Sequence, residues 1–420
     1  MEQDNTRVSI LVASTIIVVI LLCLAFAFNI GGILSVRPTA FSNSDTLQAL
    51  WYQYKSNYLE QGTLRALDKQ RQNITTSEGQ SYTMLRAVWM DDKSTFDSAW
   101  QWTKDNLGRK EDRLLSWLFG ERPNGTYGVL VNQGGYNTAS DADEDIALSL
   151  IFAWKRWGDQ KYFGDAIVMI RDIWSKEVIT IGGQPYLAAD DLEKSANKQT
   201  AIIDPSYFAP YAYKIFAKVD PTHDWLGLAS TSYQVIDEAM RLSLDKGSTA
   251  FIPPDWLAIN KTTGVISSPD QAGVSNTALT TDFSWDAMRI PWRLALDYQW
   301  FADPRAKTIL GKMGFFEDEW RTKHSIVSDY SHDGKRLSPA ESSAIYGGVL
   351  GYFIVADPSD AGAVYRDKLE ALYDPNQSRW IVPQSYYDEN WAWFGMALYT
   401  GALDNIYEDA PKGQDITPTS

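Results

Sequence analysis

Along most of the chain apolar residues recur at the three- and four-residue spacing of a helix buried on one side, and short polar turns separate the runs. The pattern predicts helices over 44–60, 77–90, 94–106, 140–157, 161–174, 206–217, 224–244, 282–301, 305–323, 339–355, 360–373 and 384–399. Many begin with Ser or Asp, whose side-chain oxygens satisfy the free N–H groups of a first turn. Strand-like alternation is brief, chiefly 178–181 and 186–188 around Gly182-Gly183, and predicts one small hairpin between helices. About a dozen helices at ~30 residues each fit paired helices in two rings around an axis. The expected fold is therefore all-α, an (α/α)6 barrel or toroid with a short β-hairpin insertion; an irregular helical bundle is the competing arrangement.

Residues 8–28, VSILVASTIIVVILLCLAFAF, carry no charge across 21 positions. At the helical rise such a run crosses a hydrocarbon core of roughly 30 Å, which predicts one transmembrane anchor after a short flank, 1–7. A cleaved signal peptide competes, since Ala25-Phe26-Ala27 has the small-x-small form, but its apolar region would span only roughly 7 to 15 residues. Arg7 and Arg37 flank the run on opposite sides, so loop charge does not choose its orientation. Gly31, Gly32 and Pro38 mark 29–42 as a linker, 43–405 reads as one helical domain, and 406–420 as a polar tail.

Composition narrows the chemistry. With 45% hydrophobic and 22% charged residues in 420, the chain is globular and not disordered. Its 38 Lys and Arg against 53 Asp and Glu leave a net charge of -15, which repels phosphate backbones and argues against a nucleic-acid partner. The single Cys23 excludes intramolecular disulfides and thiolate metal clusters, and His223, His324 and His332 are too widely spaced for a helical zinc motif. No metal or cofactor is expected, and carboxylates must carry any reaction. The 17 Trp and 22 Tyr supply flat faces that suit core filling and sugar stacking alike.

Three segments concentrate acids. In Thr75-Thr76-Ser77-Glu78-Gly79-Gln80-Ser81-Tyr82 a capped helix begins at a carboxylate. Glu78 is structurally just a first-turn acid favoured by the helix dipole, yet Gly79 is a poor helix residue that admits a ligand or another backbone at close range. In Ala139-Ser140-Asp141-Ala142-Asp143-Glu144-Asp145-Ile146-Ala147 four acids crowd a helix start. Asp141, Asp143 and Asp145 alternate like an EF-hand opening, but Ile146 and Phe152 occupy the places of its Gly and its last Glu, so calcium is rejected. The structural reading of Asp143, Glu144 and Asp145 is capping and ion pairing. In Asp282-Phe283-Ser284-Trp285-Asp286-Ala287-Met288-Arg289 a helix would make Asp286 and Arg289 neighbours at i, i+3. That is a plain ion pair, or a carboxylate beside Trp285 kept ionised as a base at a sugar cleft.

Taken together, these segments resemble glycoside hydrolase family 8, inverting endo-glucanases, chitosanases and xylan-active enzymes on an (α/α)6 barrel. The likeness covers most of 43–405, and the Ala139–Ala147 run, with Trp157 where the family pattern has Trp, is its most specific element. It implies Glu78 as general acid, Asp286 as general base and Asp141 as the group holding the sugar at the cleavage point. It also implies Trp117, in Leu114-Leu115-Ser116-Trp117, as a stacking platform, with Tyr207 of Asp204-Pro205-Ser206-Tyr207-Phe208-Ala209-Pro210, Trp285 and Arg289 contacting substrate. Trp285 stands where the family often has Tyr, which loses a phenol hydroxyl, and Asp204 stands where Asn is common. A first-turn position lowers a carboxyl pKa, so an acid role for Glu78 requires burial or a neighbouring anion such as Asp141. With the apolar run, the resemblance implies a single-pass cell-membrane protein, or a secreted one, acting outside the cytoplasm on an exopolysaccharide, in company with a polymer-synthase complex. The competing function is a non-catalytic, membrane-tethered glycan-binding protein of the same descent.

Overall fold

The computed structural model describes residues 43–245 and 247–408; the anchor expected at 8–28, its flank, the linker, Cys23 and residues from 409 lie outside the described residues. Among the described residues no helix is long and apolar enough to cross a membrane. The chain divides into two compact units, Met1–Thr46 and Leu47–Ser420. Of the first, only residues 43–46 are described, as the opening turn of a helix.

The helices are α1 (Asn43–Tyr58), α2 (Ser77–Trp89), α3 (Lys93–Leu107), α4 (Ser140–Trp157), α5 (Gln160–Glu177), the short α6 (Asp191–Ser195) and α7 (Pro210–Val219). They continue as α8 (Trp225–Arg241), α9 (Arg289–Phe301), α10 (Pro304–Leu310), α11 (Phe315–Lys323), α12 (Ser343–Ala356), α13 (Pro358–Lys368) and α14 (Tyr386–Tyr399). Side-chain caps from Thr76, Asp92, Asp159, Asp190, Asp224, Asp303, Ser342 and Ser385 open eight of them, and Ser or Asp caps are what the sequence pattern predicts.

In the second unit α2, α4, α7, α9, α12 and α14 form an inner ring, each packed on the next. Their composition explains the placement: residues 140–154 of α4 and 343–353 of α12 are buried on every face. Outer helices such as α3 bury only a stripe, Thr95, Phe96, Ala99, Trp100, Thr103 and Leu107. The ring closes between its first and last members, where Arg86 donates to Asn390 Oδ1 at 3.0 Å and Trp391 Nε1 donates to the Tyr82 hydroxyl at 3.2 Å. Gly347 of α12 and Gly395 of α14 lie backbone to backbone, so any Cβ there would collide with the facing chain. This is the two-ring helical arrangement expected of an (α/α)6 barrel.

The strand content exceeds the one predicted hairpin. That hairpin is present as β4 (Val178–Ile181) paired with β5 (Gln184–Leu187). Three further antiparallel sheets accompany it: β1 (Thr75–Thr76), β2 (Leu118–Glu121) and β3 (Tyr127–Val129); β6 (Thr200–Ile203), β7 (Leu257–Asn260) and β8 (Ile266–Ser267); and β9 (Tyr373–Asp374) with β10 (Arg379–Trp380). Strands this short leave too few alternating positions to register as a pattern. Three predicted helices are also corrected. Helix α9 starts at Arg289, not 282; the 305–323 segment breaks into α10 and α11 between Gly311 and Gly314; and 206–217 becomes a 3-10 turn at Pro205–Tyr207 followed by α7 at Pro210.

Candidate active site

The small sheets deliver acids to one end of the ring. Strand β1 pairs with β2 through Thr76 and Leu118, and Ser77 N donates to Trp117 O at 3.0 Å, which fixes the start of α2. Thr76 caps that start by accepting from Gly79 N at 3.0 Å, leaving Glu78 in the first turn. Helix α4 has no side-chain cap; instead Ser140 is tied to the chain after β5 by Ser140 Oγ to Ala188 O, 2.8 Å, and Ser140 N to Ala189 O, 3.1 Å. This holds Asp141. Strand β6 leads directly into Asp204, whose Oδ1 accepts from Ser206 N at 2.7 Å.

Arg289, the first residue of α9 and fully buried, gathers these acids. Its Nη1 lies 3.1 Å from Glu78 Oε2 and 3.0 Å from Asp141 Oδ2, and its Nη2 lies 2.5 Å from Asp286 Oδ1 and 3.5 Å from Asp204 Oδ2. The Tyr207 ring stacks under the guanidinium, 5.2 Å from its centroid. Because Glu78 and Asp286 sit on different nitrogens of one planar group, their nearest oxygens are no more than about 8 Å apart. The Glu78 and Asp286 side chains are mostly buried, 23% and 30% exposed, whereas Asp141 and Asp204 are buried completely or nearly so.

Four carboxyls around one cation cannot all be ionised in a buried site. Burial, aided by the Asp141 and Asp286 charges and opposed by Arg289, pushes the Glu78 carboxyl up to about 7. That meets the condition set by the sequence, with burial as the larger cause. Burial and Asp286 hold Asp204 well above the usual carboxylate range, and burial raises Asp141 against the pull of Arg289 and Arg293.

Asp286 departs from expectation in its backbone: it lies on a turn before α9 and not within a helix, although it still meets Arg289. The turn is pinned from outside. Asp255 Oδ1 accepts from Ser284 N at 3.1 Å and from Ala287 N at 2.7 Å, and its Oδ2 accepts from the Ser284 hydroxyl. The Tyr387 hydroxyl, from α14, donates to Trp285 O at 2.5 Å. Burial and the Asp286 charge push Asp255 up to about 7. Sequence reading missed both residues; the Pro253-Pro254-Asp255 turn signal and the Tyr386-Tyr387 pair offered no link to residues 284–287.

Trp285 is 43% exposed and packs edge-on to Tyr387 at 6.0 Å, beside a cavity of about 500 Å³ lined also by Asp286, Gln70 and Arg71. Trp117 is half-buried, with its indole N–H donating to Gly134 O at 3.0 Å. Gly79 accommodates neither ligand nor backbone: the Tyr386 side chain fills the space where its Cβ would be. Of the other acids on α4, Asp145 pairs with Arg293, Asp143 accepts from Leu115 N at 3.1 Å, and Glu144 has no ion pair. Among the described residues no cluster of three or more His, Cys, Asp or Glu is disposed to hold a metal ion.

Residues 33–333 match the family described as Glycosyl hydrolases family 8. Endoglucanase A of Acetivibrio thermocellus is 26% identical over 397 residues, 91% of this chain and 76% of that protein. Endoglucanase 2 of Ruminiclostridium josui is 30% identical over 275 residues, 64% of this chain, and the match spans only about half, 53%, of that relative's length. Among solved structures, an endo-1,4-D-glucanase from Vibrio fischeri ES114 superposes with a TM-score of 0.69 at 24% identity, covering 83% of this chain and 94% of its own. A beta-1,3-1,4-glucanase from Paenibacillus sp. X4 gives 0.70 at 22% identity over 88% and 95%. At these identities the solved structures speak to the fold.

Proposed function

The chain belongs to glycosyl hydrolases family 8 and is a glycoside hydrolase, and from that premise we propose an endo-acting, inverting hydrolase of β-1,4-linked glucan or a related exopolysaccharide. The observation that carries the reading is Arg289 holding Glu78 and Asp286 on separate nitrogens, with burial raising the Glu78 carboxyl to about 7. Glu78 gives its proton to the glycosidic oxygen as the bond breaks. Asp286, ion-paired with Arg289, takes a proton from the water attacking the opposite face. The bound of about 8 Å on their separation admits the roughly 5 to 5.5 Å of retaining pairs as well as the lower part of the roughly 6.5 to 9.5 Å of inverting ones, so inversion is tested by product stereochemistry. Asp141 orients the sugar between them, and Trp285, Trp117 and Tyr207 offer apolar faces to pyranose rings. The glucan assignment is supported by relatives named endoglucanases.

Purified protein incubated with carboxymethylcellulose, mixed-linkage glucan, xylan and chitosan should release reducing ends fastest from a glucan. NMR of the first products should show the α-anomer before mutarotation. Initial β-anomer, or no hydrolysis of any β-linked polymer, rejects the mechanism. We also propose that residues 8–28 stay attached as a membrane anchor, placing the enzyme outside the cytoplasm beside a polymer synthase; the support is the uncharged run itself. Recovery of membrane-extracted protein beginning at Phe28 would replace the anchor by secretion.

A further inference from the structure

The residues around Asp286 are held in an unusual way for a group that must aim at a water molecule. Asp286 is on a turn, its neighbour Trp285 is 43% exposed, and so packing does little to fix either. Within the turn, Met288 N bonds Ser284 O at 3.2 Å and Arg289 N bonds Asp286 O at 3.0 Å. Ile290 N bonds Ala287 O at 3.0 Å, and the side-chain ties of residues 284, 285 and 287 come from two residues far away in sequence. From below, the buried Asp255 takes three donors, two from backbone and one from a hydroxyl, on both sides of Asp286. From above, Tyr387 grips the carbonyl of Trp285. Asp255 is itself anchored through its own N–H to Asp282 O at 2.7 Å, and Tyr387 is carried on the rigid inner helix α14.

We propose that Asp255 and Tyr387 are positioning residues that together clamp the turn carrying the general base, and that they set turnover without contributing to substrate affinity. The proposal rests on Asp286 being that base. A misplacement on the order of 1 Å at a reacting group costs about a hundredfold in rate, so a clamp of this kind should register in kcat.

The test compares kcat, KM and melting temperature for Tyr387→Phe, Asp255→Asn, Asp255→Ala and Ser284→Ala, with Asp286→Asn as reference. Tyr387→Phe keeps the ring and loses only the grip on Trp285 O; it should lower kcat about tenfold with KM within about twofold and an unchanged melting temperature. Asp255→Ala should lose about a hundredfold in kcat, and Asp255→Asn, which keeps an acceptor for the two N–H groups, should recover much of it. If Asp255→Ala fails to fold, Ser284→Ala carries the same question, since it removes a single bond of the clamp and should lower kcat severalfold. Wild-type kcat in Tyr387→Phe and Ser284→Ala, or losses confined to KM, overturn the clamp. Those outcomes with an inactive Asp286→Asn leave the base assignment standing, whereas a fully active Asp286→Asn removes that assignment itself.

Discussion

Two arginines one turn apart on α9 show how the same chemistry can build a scaffold or a site. Arg293 is buried and meets one acid: Asp145 accepts from its Nη1 and Nη2 at 3.0 and 2.9 Å, and Tyr211 completes the contact at 2.5 Å. Arg289 is equally buried and meets four acids. Both draw on the same partner helix, since Asp141 and Asp145 are one turn apart on α4. At Arg293 one cation meets one acid, and the pair holds two inner helices together. At Arg289 the excess of carboxyls forces some of them to stay protonated, and the partly exposed Glu78 is a group that can pass its proton on. The ratio of acids to cations separates the two layers, because burial is common to both.

The comparison breaks most visibly if charge is removed from the crowded layer. Glu78→Gln and Asp286→Asn should each lower kcat by about a thousandfold or more while the melting temperature holds or rises, as the crowding is relieved. Reducing-sugar assays alongside thermal melts check this; a variant that loses activity by unfolding would put that acid in the scaffold. The balanced layer should respond in the opposite sense. Arg293→Met leaves Asp145 buried without its cation and should cost about 3–5 kcal/mol in chemical denaturation, and adding Asp145→Leu should restore most of it. The smallest effect sharpens the contrast. On the proposed role of Glu78 as general acid, kcat should fall as pH rises through about 7. Asp141→Asn removes a like charge and frees Arg289 to act more strongly on Glu78; both changes lower its pKa and move that limb of the profile to lower pH. A limb that stays in place would show that Asp141 does not tune the acid.

Much of this was legible in the chain. The helices announced themselves through spacing and caps, and the acid runs at Glu78 and Asp141 were found because each opens a helix, where a cap and a carboxylate stand side by side in sequence. The turn at Asp286 was read as helix because its local pattern is helical; the bonds from Asp255 that hold residues 284–287 in a turn come from another part of the fold. Asp204 was noticed only as an unusual acid. Its approach to Arg289 depends on β6 and α9 meeting, and a separation of 85 positions hides that from any local pattern. Tyr387 was invisible for the same reason, and the short strands gave too few residues to read.

The bond between Arg86 and Asn390 joins positions 304 apart in the sequence. A contact so distant asks the chain to close a very long loop before any reward is collected, and topologies rich in such contacts assemble slowly. Inner helices that meet early, such as α2 and α4, would have to wait for α14 with Arg86 covered by Trp51 and Tyr54 of α1 but still lacking Asn390 and Trp393. During synthesis at roughly 5 to 20 residues per second, that wait lasts on the order of tens of seconds. The seam between the first and last inner helices is thus the place where a growing chain is most exposed to chaperones, and where a destabilising change would first appear as lost yield, with the specific activity of the surviving molecules intact.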